Sequence, residues 1–259
     1  MNPWKIELAG KKPNLKDAIL ITGLPGIGNV AKIVADFLIE EIKAKKVCEF
    51  YSYYMPHSVF VREDDLVELP KIKLYFKKIK KKKILILSGD SQPIDEVGTY
   101  SFCETLLDFF QKNKCLEIIT LGGIGLGDIP KNPKVYCTGN DKKIVKKYKK
   151  DTKMSTKIYG VVGPIIGVSG LLLGLAQKRK IQAVSLLAET LGHPMYLGLK
   201  GSREILKVLN KNLDLKIDLK NLDKEIDELE SKLKIAEDLG KFSKRKRDYR
   251  EYRDVNYIG

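Results

Sequence analysis

The sequence predicts an α/β fold with a mixed, mostly parallel sheet flanked by helices. Short apolar runs that suit buried strands alternate with segments whose apolar residues recur at helical spacing. This alternation is typical of a parallel sheet covered on both faces. A middle block, about residues 47 to 87, offers strands without an intervening helix, so we expect a mixed sheet. The length of 259 residues allows one large domain with an appendage or two small domains.

The elements follow from these patterns in chain order. A strand is predicted at residues 18–22, then a helix at 27–43, where Ile27, Val30 and Val34 share a face. Apolar residues alternate with lysines in 71–79, which places that strand near a sheet edge. The remaining strands are predicted at 47–53, 58–61, 65–69, 84–89, 116–121, 135–138 and 181–187, and the remaining helices at 97–112, from about 141, 166–177 and 201–209.

The C-terminal part has a different pattern. Apolar residues at heptad spacing stand among charged ones: Leu219, Leu222, Ile226, Leu229, Leu233 and Ala236. Three heptads are few for a free coiled coil, so we expect this helix to dock on its own domain or on a sister chain. We therefore predict an α/β core domain over residues 1–212, a heptad helix over 213–240 and a basic flexible tail over 241–259.

The amino-acid composition indicates which classes of binding partner are expected. The net charge is +15, mostly from lysine, but the lysine clusters at 77–83 and 142–150 lack the interleaved aromatic residues of a nucleic-acid surface. Nucleic acid is therefore not the expected partner, whereas an acidic protein would be attracted. The four scattered cysteines are expected to be reduced and buried. No membrane-spanning run or signal-peptide pattern is found, so we expect a cytoplasmic protein.

Three glycine-rich segments follow apolar runs, at residues 23–28, 122–128 and 160–170. Strand, glycine turn and helix together can bind an anion through backbone N–H groups. The first segment is not a dinucleotide-binding fingerprint, since its pattern is GxxGxG and the nearest candidate acid is Glu49; it also lacks the Gly-Lys-Ser/Thr of a P-loop. Two interpretations remain: binding of an anion or partner, or a tight turn that lets backbones pack closely.

Few side chains near these segments could carry chemistry. Asp90 and Asp128 follow predicted strands and could bind a metal or a hydroxyl, or accept backbone hydrogen bonds. Glu189 could orient a loop, cap a helix or contact a substrate.

Catalytic and metal-binding patterns are weak. His57 and His193 lack zinc-site spacing. A triad of Ser169, His193 and Asp128 can be drawn, but Ser169 lacks the full GxSxG elbow. No catalytic residue, cofactor or metal is predicted.

The ordered set of motifs resembles the proteasome assembly chaperone family in its archaeal form. The likeness rests on Gly23–Ala31, Gly122–Gly125, Val162–Leu171, Leu187–Thr190 and His193–Pro194. The resemblance implies a nucleoside-phosphorylase-like fold used without known catalysis. It also implies a homo-oligomer that binds the proteasome α-ring, as an assembly chaperone or an ATP-independent activator.

Family partners of the α-ring carry a tail ending hydrophobic–tyrosine–any residue, in which the carboxylate meets a lysine and the ring fills a pocket between α subunits. Here the segment reads Asn256-Tyr257-Ile258-Gly259, so the motif is shifted by one residue. The resemblance therefore makes Tyr257, Ile258 and Gly259 the expected partner-binding residues.

Three functions remain open. The first is a non-enzymatic proteasome-binding chaperone or activator. The second is a phosphate- or nucleotide-using enzyme, either nucleoside-phosphorylase-like or an ATP-dependent carboxylate-amine ligase, with charged groups among Asp90, Asp128 and Glu189 converging on a pocket. The third is a basic nucleic-acid-associated protein, which requires a continuous positive face.

Overall fold

A computed structural model describes residues 3–155, 158, 160 and 163–228. The strands are β1 (Lys5–Leu8), β2 (Ile19–Gly23), β3 (Lys45–Tyr51), β4 (Phe60–Val61), β5 (Val67–Glu68), β6 (Ile72–Ile79), β7 (Lys82–Gly89), β8 (Glu117–Leu126), β9 (Val135–Gly139) and β10 (Gln182–Leu191). The helices are α1 (Val30–Glu41), α2 (Glu96–Lys112), α3 (Lys142–Lys149), α4 (Gly167–Lys178) and α5 (Leu199–Leu213), and a 3-10 helix, Ile27–Asn29, precedes α1. Every predicted core element is present, and β1 is an addition.

Eight of these strands form one sheet, in the order β1-β3-β6-β7-β2-β8-β10-β9, while β4 and β5 pair with each other. The central strands β7, β2, β8 and β10 are parallel. The four other neighbouring pairs are antiparallel, so the prediction of a mostly parallel sheet is wrong and the sheet is mixed. Parallel neighbours need long crossovers, which the helix-free middle block does not contain.

The lysine-alternating strand, which is predicted near a sheet edge, is the third strand from one edge of the eight-stranded sheet. Strand β6 lies between β3 and β7, because β3 and β1 extend the sheet beyond it. Its lysines remain partly exposed. The lysines of residues 71–79 are therefore partly exposed because one face of this part of the sheet is incompletely covered, not because the strand lies at an open edge.

Helices cover both faces of the central strands. Leu20, Leu85 and Ile118 belong to the same buried cluster as residues of α2 and α4. Their neighbours in each strand point the opposite way, toward the face where α1 and α5 pack together. The apolar runs of these strands are buried on both sides, which explains why they do not alternate.

We call the side where the four parallel strands end the C-terminal end of the sheet, and the opposite side the N-terminal end. A carboxylate is buried at the N-terminal end, at the start of β8. Glu117 is 1% exposed and accepts hydrogen bonds from the Tyr148 hydroxyl at 2.7 Å and from Lys147 Nζ at 2.7 Å. Burial, and secondarily the Glu117 charge, raises the pKa of Tyr148 above its ordinary range. The buried Glu117 carboxylate thus connects helix α3 to the sheet through its hydrogen bonds to Tyr148 and Lys147.

The four cysteines are free thiols, as predicted; Cys48, Cys103 and Cys137 are buried and Cys115 is partly buried. Burial raises the pKa of Cys103 to about 12. No helix within the described ranges has the length and apolar character needed to cross a membrane.

The chain divides into two units between Asp218 and Leu219. In the second unit residues 220–228 are helical, and Leu222 and Ile226, two positions of the predicted heptad seam, are buried. Residues 214–219 are not helical, so the helix starts later than residue 213. The seam positions Leu229, Leu233 and Ala236 and the predicted tail over 241–259 lie outside the described residues.

Candidate functional site

The three glycine-rich segments meet at the C-terminal end of the sheet. There they line one cavity of about 550 Å³, with walls from residues 24–27, 121–125 and 163–167. The ends of parallel strands are where α/β proteins usually place ligands. The sequence places a glycine segment after each apolar run, but only the tertiary fold brings the three together.

The first segment is a tight junction between β2 and α1. Gly28 has φ of 60°, and a Cβ there would lie 2.6 Å from Thr190 Oγ1. A Cβ on Gly23 would lie 2.3 Å from the Ala31 carbonyl oxygen. Backbone conformation and close packing thus both require glycine here, which supports the interpretation as a tight turn.

The second segment is not the turn that the sequence predicts. Residues 122–126 continue β8 and pair in parallel with β10, from Gly122–Leu187 to Leu126–Leu191. A Cβ on Gly123 would lie 2.3 Å from the Ile27 carbonyl oxygen. These glycines therefore leave room for the 3-10 helix to lie against the strand, and no local signal separates that use from a turn.

The third segment leads into α4, which begins at Gly167 with φ of 78°. Gln92 connects this segment to the first one: its Nε2 donates to the Pro25 carbonyl at 2.6 Å, and its Oε1 accepts from the Val168 N–H at 3.1 Å. Sequence analysis missed Gln92. Its position just after buried strand β7, in the turn Ser91-Gln92-Pro93, is the signal that could have found it.

The cavity wall is neutral. The described lining residues include no charged side chain, and the polar side chains among them are Gln92 and Ser169. Ser169 Oγ donates to the Leu121 carbonyl at 3.0 Å. A phosphate in this cavity would meet backbone groups but no cationic side chain from the described wall, so the chemistry favours an uncharged, largely apolar occupant.

The predicted acidic residues do not converge on this cavity. Asp90 Oδ2 accepts from the Lys71 N–H at 3.0 Å, the backbone role that was one of its two interpretations. Glu189 accepts from the Lys134 N–H at 2.9 Å and from the Tyr136 hydroxyl at 2.8 Å, so it orients the loop before β9. Asp128 is exposed.

The histidines and Ser169 do not assemble with Asp128. His193 lines a neighbouring cavity of about 570 Å³, and its Nδ1 accepts from the Met195 N–H at 3.2 Å. His57 is exposed. Ser169 lines the first cavity, and Asp128 lines neither. The described residues form no cluster of three or more His, Cys, Asp or Glu side chains that could hold a metal ion.

Exposed apolar side chains surround the cavities, and sequence analysis did not single them out. Ile166 is 83% exposed and Met195 86% exposed. Others at this end of the sheet are Ile27, Tyr53, Ile94 and Leu197, together with Val59, Phe60, Val61, Leu66, Val67 and Leu69 around the β4–β5 hairpin. Groups of exposed large apolar side chains are typical of protein–protein interaction sites. The predicted partner-binding residues Tyr257, Ile258 and Gly259 lie outside the described residues.

Comparison with known proteins identifies relatives along almost the whole chain. The model of the PAC2 family matches residues 20–236. The uncharacterized protein MJ1210 of Methanocaldococcus jannaschii is 30% identical over 95% of this chain and 93% of its own length.

Two solved structures from Pyrococcus furiosus have the same architecture. PbaB, an archaeal proteasome activator, is 34% identical, with a TM-score of 0.84 over 92% of this chain and 100% of that one. PbaA, an archaeal homologue of proteasome-assembly chaperone, is 25% identical, with a TM-score of 0.76 over 94% of this chain and 95% of that one.

Proposed function

Because the chain belongs to the PAC2 family, we propose that it is a non-enzymatic proteasome assembly chaperone or ATP-independent proteasome activator. The observation that carries the proposal is its likeness, over nearly the whole chain, to an archaeal proteasome activator. The ordered glycine motifs, which span most of the core, agree with this family likeness.

The candidate site supports a role in binding rather than in catalysis. The described cavity wall has no charged group, and Asp90 and Glu189 bond to backbone instead of converging on a pocket. The apolar side chains around the cavities suit a protein partner. The nucleoside-phosphorylase-like origin of the fold is part of the same proposal.

The proposed partner is the proteasome α-ring. Tyr257 and Ile258 would enter a pocket between α subunits while the Gly259 carboxylate meets a lysine. We propose a cytoplasmic homo-oligomer, since several tails on one assembly bind a ring of α subunits with avidity.

Binding of the full chain to purified archaeal proteasome core particle, measured by surface plasmon resonance, tests the role of the tail. Deleting residues 257–259 should weaken binding by about tenfold or more, because each tail loses its anchor and avidity multiplies the loss. Tyr257→Ala should account for most of the effect, since the ring supplies the apolar contact.

Tyr252→Ala is the matched control, because it removes a tyrosine from the same tail at a position outside the proposed motif. It should bind as the unaltered chain does. Equal affinity of the deletion variant and the unaltered chain would refute the role of the tail. Absence of binding by the unaltered chain would refute the proposed partner.

A further inference from the structure

The β4–β5 hairpin has the character of a docking element. It pairs with no strand of the main sheet, and its apolar side chains point largely into solvent: Val61 is 71% exposed and Val67, its direct cross-strand partner, is 62% exposed. Phe60, Leu66 and Leu69 nearby are also exposed. An isolated two-stranded hairpin is marginally stable in water, so apolar cover from a partner would stabilise it.

The hairpin is nevertheless held in place. Within its turn Arg62 Nε donates to Asp64 Oδ1 at 3.0 Å, and the Arg62 N–H donates to the Leu66 carbonyl at 2.8 Å. At its base Glu68 pairs with Lys71 at 3.2 Å and with Lys73 of β6 at 3.8 Å. A partner would therefore meet a formed surface rather than an extended loop.

The charge of the hairpin is opposite to that of the whole molecule. Residues 59–69 carry one basic residue, Arg62, and four acidic ones, Glu63, Asp64, Asp65 and Glu68, in a chain of net charge +15. Two hairpins facing each other would bring acid against acid. The complementary surface is basic, and this chain supplies one itself.

That basic surface is a groove of about 440 Å³ between the end of β9 and α3. Lys142, Lys146 and Lys149 line it, at helical spacing along one side of α3, with Val145 between them. The groove lies at the N-terminal end of the sheet and the hairpin lies at the C-terminal end, so the two surfaces cannot meet within one copy.

We propose that the hairpin is a self-association element that docks head to tail into the α3 groove of a second copy of this chain. The acidic turn meets the three lysines, while the exposed valines cover Val145 and the aliphatic stems of the lysines. A head-to-tail contact of this kind produces a ring when its rotation closes. The inference rests on the homo-oligomer in the proposed function and assigns the surface that builds it.

Sedimentation velocity of the purified full chain, without proteasome, tests the proposal. The unaltered chain should sediment as an oligomer. Val61→Lys should weaken self-association by about tenfold or more, because it places a cation in an apolar contact beside three lysines. Leu8→Lys is the matched control: it alters an exposed apolar residue of β1 outside the proposed contact and should leave the oligomer intact.

Charge exchange identifies the partner surface. Glu63→Lys with Asp65→Lys should weaken association, and so should Lys142→Glu with Lys146→Glu. A mixture of these two variants should associate better than either alone, since each supplies the surface that complements the other. Every substitution in these variants is at an exposed residue. The free energy of unfolding of each variant should therefore lie within about 0.5 kcal/mol of that of the unaltered chain.

A monomeric unaltered chain would overturn the proposal, and so would hairpin variants that remain oligomeric or a mixture that fails to recover. Hairpin variants that stay oligomeric but lose core-particle binding would assign the hairpin to the proteasome instead. Because residues 257–259 are intact in every variant and no proteasome is present in sedimentation, failure of the tail experiment leaves this test unaffected.

Discussion

The two ends of the central sheet differ in both composition and packing. The loops at the C-terminal end contain seven acidic and four basic residues and many exposed apolar side chains. These loops are residues 24–26, 52–71, 90–95, 127–134, 163–166 and 192–198. The segments at the N-terminal end contain sixteen basic and four acidic residues. These segments are residues 9–18, 42–44, 80–81, 113–116, 140–150, 179–181 and 214–218.

This difference shows that the two ends of one sheet can combine different kinds of packing with different kinds of surface. The N-terminal end closes the core through the buried pair of Glu117 and Tyr148, and the exposed Lys147 also donates to the Glu117 carboxylate. The C-terminal end packs backbone on backbone through glycine and leaves apolar side chains exposed to solvent. Among the described loops, the excess of basic residues therefore lies at the end opposite to the apolar surface.

Glycine packing at the C-terminal end can be broken with one methyl group. A Cβ on Gly170 would lie 1.8 Å from the Ile165 carbonyl oxygen, so Gly170→Ala should lower the free energy of unfolding by about 2–3 kcal/mol. Chemical denaturation measures the loss. Gly174→Ala is the control one turn later in α4, where nothing lies within 4 Å of a Cβ; it should stabilise by about 0.5–1 kcal/mol. Equal effects of the two substitutions would contradict close packing.

Closure of the N-terminal end can be tested at Tyr148. Tyr148→Phe should lower the free energy of unfolding by about 1–2 kcal/mol, because the buried Glu117 carboxylate loses a hydrogen-bond donor. Tyr100→Phe, at a residue 54% exposed, is the control and should change it by less than about 0.5 kcal/mol.

The same substitution predicts a difference in pH dependence. The pKa of Tyr148 is raised in the folded protein, so its contribution to stability is complete below the ordinary tyrosine value of about 10 and is lost as pH rises above it. Between pH 9 and pH 11, the free energy of unfolding of Tyr148→Phe should therefore change less with pH than that of the unaltered chain. Parallel curves for the two proteins would contradict burial of this hydroxyl.

The smallest effect on folding is expected in the apolar surface itself. Ile166 is 83% exposed, so Ile166→Ser should change the free energy of unfolding by less than about 0.5 kcal/mol. Leu172→Ser, at a fully buried position of the same helix region, should cost several times more. A large loss from Ile166→Ser would mean that this side chain supports the core and is not available to a partner.

Periodicity predicted the core elements well but could not predict how the strands are arranged. The run Ile84–Leu87 is recognisable as a buried strand because its apolar residues are continuous. The same pattern does not say which strand lies beside it; periodicity predicts β6 near an edge but not that β3 and β1 lie outside it. Strand order depends on contacts between distant segments, which a local pattern does not contain.

The candidate site was predicted in part. Sequence indicated that the glycine segments share the ends of strands, and it offered backbone bonding as an interpretation of Asp90, which the structure confirms. It did not indicate Gln92, because the only signal there is the position just after a buried strand, and a single glutamine in a turn forms no motif. It also interpreted Gly122–Leu126 as a turn, because glycine in a strand and glycine in a turn look alike until the neighbouring backbone is known.

By itself the sequence determined the α/β class, the identity of most core elements and the likeness to proteasome assembly chaperones, because apolar periodicity and ordered motifs are properties of the chain alone. Only the tertiary structure decided that antiparallel strand pairs outnumber parallel ones in the sheet, that three distant glycine segments line one cavity, and that acidic and basic surfaces lie at opposite ends. These features depend on which backbones come within a few ångströms of each other. That proximity is set by packing across the whole fold.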